Sequence, residues 1–192
     1  MEVFGSPIVL NEGDDVTVAG LVAEFTPSGA PSPKTEYNPV YYVNKNSSGN
    51  AVPAATAVTV PDLAASGDGG NGNAEKYESV LVQASGFVYA DTCGAQGRNW
   101  WLHSGVPLPA GADSVPVGHI INYLFIPCPG DNVSVIGIHG VYGPGGAGTN
   151  IPGGFRLQPR KTLDLYNSDN TGVGGGKVSR SEERRVGKEC RL

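Results

Sequence analysis

The chain has 192 residues, of which 39% are hydrophobic and only 16% charged, with a formal charge of −5. No apolar run approaches 18 residues, which excludes a membrane-spanning helix, and the acidic balance works against a phosphate-binding surface. Gly 29 and Pro 15 come near the range of low-complexity disorder, but they punctuate clear strand-like runs, so a β core with many turns accounts for them better.

In chain order, Val16–Phe25 alternates apolar and polar residues up to Val18 and changes phase past Gly20, as a strand does at a bulge or tight bend. Val40–Val43 and Ala57–Val60 are short strands, the latter stopped by Pro61, and Pro61–Ala65 suits one helical turn. Asp68–Asn73 is a Gly/Asn stretch whose residues favour flexible turns. Beyond it, strands are expected at Tyr77–Tyr89 (broken by Gly86), Asn99–His103, Val117–Ile126, Val133–Tyr142 and Phe155–Gln158. Helix signals are otherwise almost absent.

The string Arg180–Arg191, RSEERRVGKECR, breaks abruptly with the composition before it and reads as the in-frame translation of a sequencing adapter. The last 13 residues carry five of the 13 basic and three of the 18 acidic residues, so the remaining body holds 8 and 15, a formal charge of −7. Setting the tail aside also removes Cys190 and leaves Cys93 and Cys128, an even pair suited to one disulfide in a secreted protein. The Lys-poor, Gly/Ser/Thr/Asn-rich composition points to an extracellular or cell-surface location. Met1–Phe4 has neither a basic nor an apolar signal region, so the chain reads as a gene fragment of environmental origin, with any signal peptide expected upstream.

Gly13–Val22 and Gly130–His139 share the pattern G-D-[DN]-V-[ST]-V-x-G-[LI], each followed by an aromatic residue, Phe25 or Tyr142. The spacing inside the two copies is identical, which marks equivalent strands of two related units. With Ala74–Val82 (AEKYESVLV) and Phe155–Asp164 (FRLQPRKTLD), this segment resembles the OB-fold-like domains that accompany secreted bacterial nucleases and large surface proteins. The resemblance implies an all-β fold with a five-stranded OB-like barrel, preceded by the last strands of a truncated second unit. It implies the truncated unit with its extension at 1–66, a linker at 67–73, the complete barrel at 74–166, a flexible segment at 167–179 and the tail at 180–192. This chain departs from the pattern through the proline-rich Val106–Pro116 stretch and the Cys93/Cys128 pair.

Few residues suit chemistry. Adjacent strand residues face opposite ways, so one of Trp100 and Trp101 belongs to the core and the other to the surface, where it could stack a base or a sugar ring. Arg156, Arg160 and Lys161 form the one cationic cluster of the body. They could meet phosphate, although Arg160 is better placed to pair with Asp164. His103, His119 and His139 lack metal-ligand spacing, Asp68 and Asn71 do not complete a calcium loop, and no G-x-S-x-G motif is present. Glu75 and Glu78 read as the entry to a strand rather than a catalytic carboxylate pair. The expectation is a non-catalytic interaction or spacer module without a cofactor, whose partners are other domains of the parent protein. The alternatives are an accessory domain binding nucleic acid for an extracellular nuclease, or a carbohydrate-binding module.

Overall fold

A computed structural model describes residues 2–3, 8–66, 70–89, 100–105, 113–118, 127–144 and 153–167. The chain is all-β and contains a closed five-stranded barrel of OB-like form. The strands are β1 (Glu2–Val3), β2 (Asp15–Phe25), β3 (Lys34–Ser47), β4 (Thr56–Ala57), β5 (Leu81–Tyr89), β6 (Trp100–His103), β7 (Ser114–Val117), β8 (Asn132–Tyr142), β9 (Gly154–Gln158) and β10 (Leu165–Asn167). One helical turn, α1 (Val60–Leu63), precedes the barrel.

The barrel runs β5–β6–β7–β9–β8 and back to β5, with every contact antiparallel except the parallel step at Val117↔Leu157 between β7 and β9. Closure depends on β5 serving two neighbours. Residues 81–87 pair with β8, while 87–89 pair with β6. The changeover falls at Phe87, next to Gly86, where an added Cβ would stand 2.2 Å from the carbonyl oxygen of His103. Only a glycine lets the β6 backbone approach there. Alternation along β5 sends Val82, Ala84 and Val88 inward to meet Leu102, Val115, Val133, Val135 and Leu157. α1 closes one end of this core, with Val60 and Leu63 fully buried. Asp62 anchors the turn by accepting the Thr59 backbone N–H at 3.0 Å and the Asn71 and Asn73 side-chain amides at 2.7 and 3.0 Å. Asn71 and Asn73 are therefore tied to α1, although the composition here favours a flexible linker, because both side-chain amides donate to the Asp62 carboxylate.

Several boundaries differ from those read in the sequence. Ala57–Val60 is not one strand: β4 ends at Ala57, and Val60 opens α1, where the side chain is buried. The run from Tyr77 starts later, at Leu81, because Ala74–Tyr77 is a turn of 3-10 helix. The third barrel strand is Ser114–Val117 and takes in the end of the proline-rich stretch. A proline fits there because β9 pairs with β7 only at Val117, leaving no ladder bond on that edge at Pro116. Residues 119–126, where the sequence placed that strand, lie outside the described residues, as do Cys93, the Arg180–Arg191 string and the 168–179 segment. The expected Cys93–Cys128 disulfide thus falls partly outside the described residues, and no disulfide is seen among the described residues. The half-buried Cys128 instead occupies a turn in which its backbone N–H donates to Asp131 Oδ2 at 2.9 Å.

A second sheet, β1–β3–β2, lies beside the barrel. Its long β2–β3 ribbon has register irregularities around Gly20. The Thr35 backbone N–H donates to the Glu78 carboxylate at 3.1 and 3.2 Å, and Glu12 reaches Arg160 and Lys161 at 3.1 and 3.3 Å. The close approach at Gly86 makes a direct prediction. Gly86→Ala lowers stability by about 1–3 kcal/mol, the range for forcing a methyl into a packed interior, and urea unfolding of the variant against the parent chain measures it.

Candidate functional site: the outer face of β5 and β6

Trp100 and Trp101 point to opposite sides of β6. Trp100 is 3% exposed within the core, beside Leu102 and Val117. Trp101 faces outward and is half-buried. Its cross-strand neighbour is Tyr89, with ring centroids 6.1 Å apart and planes tilted by 57°. Tyr89 also meets the His103 ring edge-on at 5.5 Å. His103 shares the outward phase with Trp101 but is only 7% exposed. Burial pushes its imidazole below the ordinary value, and the neighbouring Asp113 opposes that shift. Asp113 is fixed in turn by the Ser104 hydroxyl, which donates to Oδ1 at 2.5 Å. The result is an aromatic surface of two rings supported by the buried His103 ring.

The sequence predicted that one of the two tryptophans would face outward without deciding which, and it did not point to Tyr89 or His103. The signal was present in the phase of β5: Val82, Ala84 and Val88 face inward, so Tyr89 must face outward. The antiparallel register that sets it against Trp101 needs the assembled sheet.

The cationic cluster is consumed internally. Arg156 is 8% exposed, donates to the Gly143 carbonyl at 3.1 Å and lies 5.5 Å over the Tyr142 ring. Burial pushes its guanidinium pKa down. Arg160 pairs with Asp164 at 3.2 Å, as its spacing suggested, and with Glu12 at 3.1 Å. Lys161 joins the same Glu12 carboxylate. The buried Asp164 also accepts the Arg160 and Lys161 backbone N–H groups at 2.8 and 3.2 Å, which fixes the turn after β9. Arg160 and Lys161 are thus brought together on Glu12, while Arg156 is engaged separately by a carbonyl and a ring.

A cleft of about 350 Å³ lies between β8 and the start of β3, lined by Lys34, Glu78, His139, Tyr142 and Arg160 among others. Burial raises the Glu78 pKa, but its carboxylate is occupied by the Thr35 amide. His139 is fully buried, donates from Nε2 to the Leu63 carbonyl at 3.0 Å and stacks on Phe155 at 5.1 Å. It therefore joins α1 to the barrel wall. No group of three potential metal ligands occurs among the described residues. No protein-family model matches the chain, and no curated protein matches it.

Two predictions follow from these contacts. Burial depresses the His139 pKa to about 4, against 6.5 for the free side chain. The unfolded chain then takes up a proton between pH 6.5 and 4 that the folded protein refuses. This part of the stability is complete above pH 6.5 and decreases by about 3 kcal/mol as the pH falls toward 4. His139→Gln should flatten that slope in urea titrations at pH 7, 6, 5 and 4. Asp164→Ala leaves two backbone donors and the Arg160 side chain without their acceptor, and should cost about 1–3 kcal/mol, read as a lower urea midpoint.

Proposed function

We propose that the chain is a non-catalytic interaction module of a secreted, multidomain bacterial protein, with the outer face of β5 and β6 as its binding surface. The observation that carries this reading is the split between the two tryptophans. Trp100 completes the core, while Trp101 lies outside it against Tyr89. In OB-type barrels the face of the second and third strands, together with the adjoining loops, commonly holds oligonucleotides or oligosaccharides, and Trp101 lies on the second barrel strand, β6. The composition supports an extracellular setting, and the resemblance of the strand motifs to nuclease-associated domains supports a role alongside other domains.

Of the two ligand classes, a saccharide is favoured over a polyanion. A tryptophan beside a tyrosine offers an uncharged aromatic surface to a sugar ring, and Arg156, Arg160 and Lys161 are already engaged. Binding to nucleic acid rests on neutralising many phosphates, and the body of the chain carries a formal charge of −7, with 8 basic and 15 acidic residues.

Tryptophan fluorescence tests the assignment, with neutral oligosaccharides and single-stranded oligonucleotides titrated at low and high salt. The expected result is saturable, salt-insensitive saccharide binding that weakens at least tenfold in Trp101→Ala, comparable with the roughly 1–3 kcal/mol of an aromatic stacking contact. Oligonucleotide binding that falls steeply with salt would establish the nuclease-accessory reading instead. Binding unchanged by Trp101→Ala would remove this face from consideration.

A further inference from the structure

The sheet β1–β3–β2 repeats the arrangement β7–β9–β8 of the barrel, residue against residue. The sequence repeat sets Val22 on β2 equivalent to His139 on β8. Val22 is opposite Tyr37, and His139 is opposite Leu157. Tyr37 is in turn opposite Val3 of the parallel β1, just as Leu157 is opposite Val117 of the parallel β7. The agreement continues along the ribbon: Val18↔Val43 matches Val135↔Leu165, and Thr17↔Asn44 matches Ser134↔Tyr166. The second half of β3 therefore takes the place of β10. Even the close approaches correspond. A Cβ on Gly20 would stand 2.8 Å from the Pro39 carbonyl oxygen, and one on Gly137 would stand 2.7 Å from that of Gln158.

The environments of the matched residues differ. In the barrel, Val133, Val135, Leu157 and His139 are 0% exposed and Leu165 is 1% exposed. Their counterparts Val16, Val18 and Tyr37 are only half-buried, as is Val43, and Val22 is 59% exposed. The missing cover is identifiable. β5 lies on the β8 edge from Leu81↔Ile138 to Phe87↔Asn132, whereas among the described residues no strand pairs with the corresponding edge of β2.

We infer that this β2 edge is a strand-accepting site, which binds an antiparallel partner strand of the chemistry of Leu81–Phe87. The incoming strand places small or branched apolar residues opposite Gly20, Val18 and Val16, where β5 places Val82, Ala84 and Gly86 against Gly137, Val135 and Val133. Val16, Val18 and Gly20 are the same residue types as Val133, Val135 and Gly137. Backbone hydrogen bonds along the edge supply affinity, and the alternate side chains supply register, as in other cases of strand addition. An uncovered edge of 11 residues would otherwise be an aggregation hazard.

The probe is a synthetic peptide of residues 78–89, titrated into the full chain, with a composition-matched scrambled peptide beside it. Saturable 1:1 binding is expected, with amide hydrogen exchange along β2 slowed at least tenfold and the scrambled peptide inert. Val18→Lys should abolish this binding and leave the barrel folded, as judged by the emission of buried Trp100. Three results would overturn the inference: no exchange protection at millimolar peptide, equal binding by Val18→Lys, or a β2 edge already protected in the free chain through self-association seen by sedimentation.

Discussion

The barrel depends on one strand being shared between two neighbours. β5 gives its first seven residues to β8 and its last three to β6, with Phe87 common to both ladders. This sharing closes the sheet and removes its edges. It requires a sharp coil at Gly86, where the backbone of His103 passes too close for any side chain. Closure also sets the phase of everything outside the core. With Val82, Ala84 and Val88 committed inward, Tyr89 must emerge beside Trp101.

The polar interactions serve mainly to fasten turns. Asp62 gathers Thr59, Asn71 and Asn73. Asp164 gathers the turn after β9, and Glu12 draws Arg160 and Lys161 toward the other sheet. A buried carboxylate that accepts several donors is costly to break. The same engagement leaves little positive charge to attract an anionic ligand, and it is why the proposed binding face is aromatic.

The two sheets show one strand pattern in two environments. The Val-x-Val stretch with a following glycine is fully covered in β8 because β5 lies beside it, and half-covered in β2 because no described strand does. A half-buried valine on β2 is thus the consequence of an open edge, not of a different sequence.

By itself the sequence determined the all-β class, most strand cores, the internal repeat, the opposed tryptophans and the Arg160–Asp164 pair. These follow from local periodicity, glycine and proline chemistry, and short spacings. It left Ser114–Pro116 out of the third barrel strand, since a proline argues against a strand wherever the neighbouring edge is unknown, and it extended β4 into Val60, which is apolar in either conformation. Only the tertiary structure decided that α1 closes the barrel, that Tyr89 and His103 join Trp101, that Arg156 is buried over the Tyr142 ring, and that β1–β3–β2 repeats the register of β7–β9–β8. Each of these depends on which strands become neighbours. That outcome is set by the closure of the sheet and not by any stretch of residues read alone.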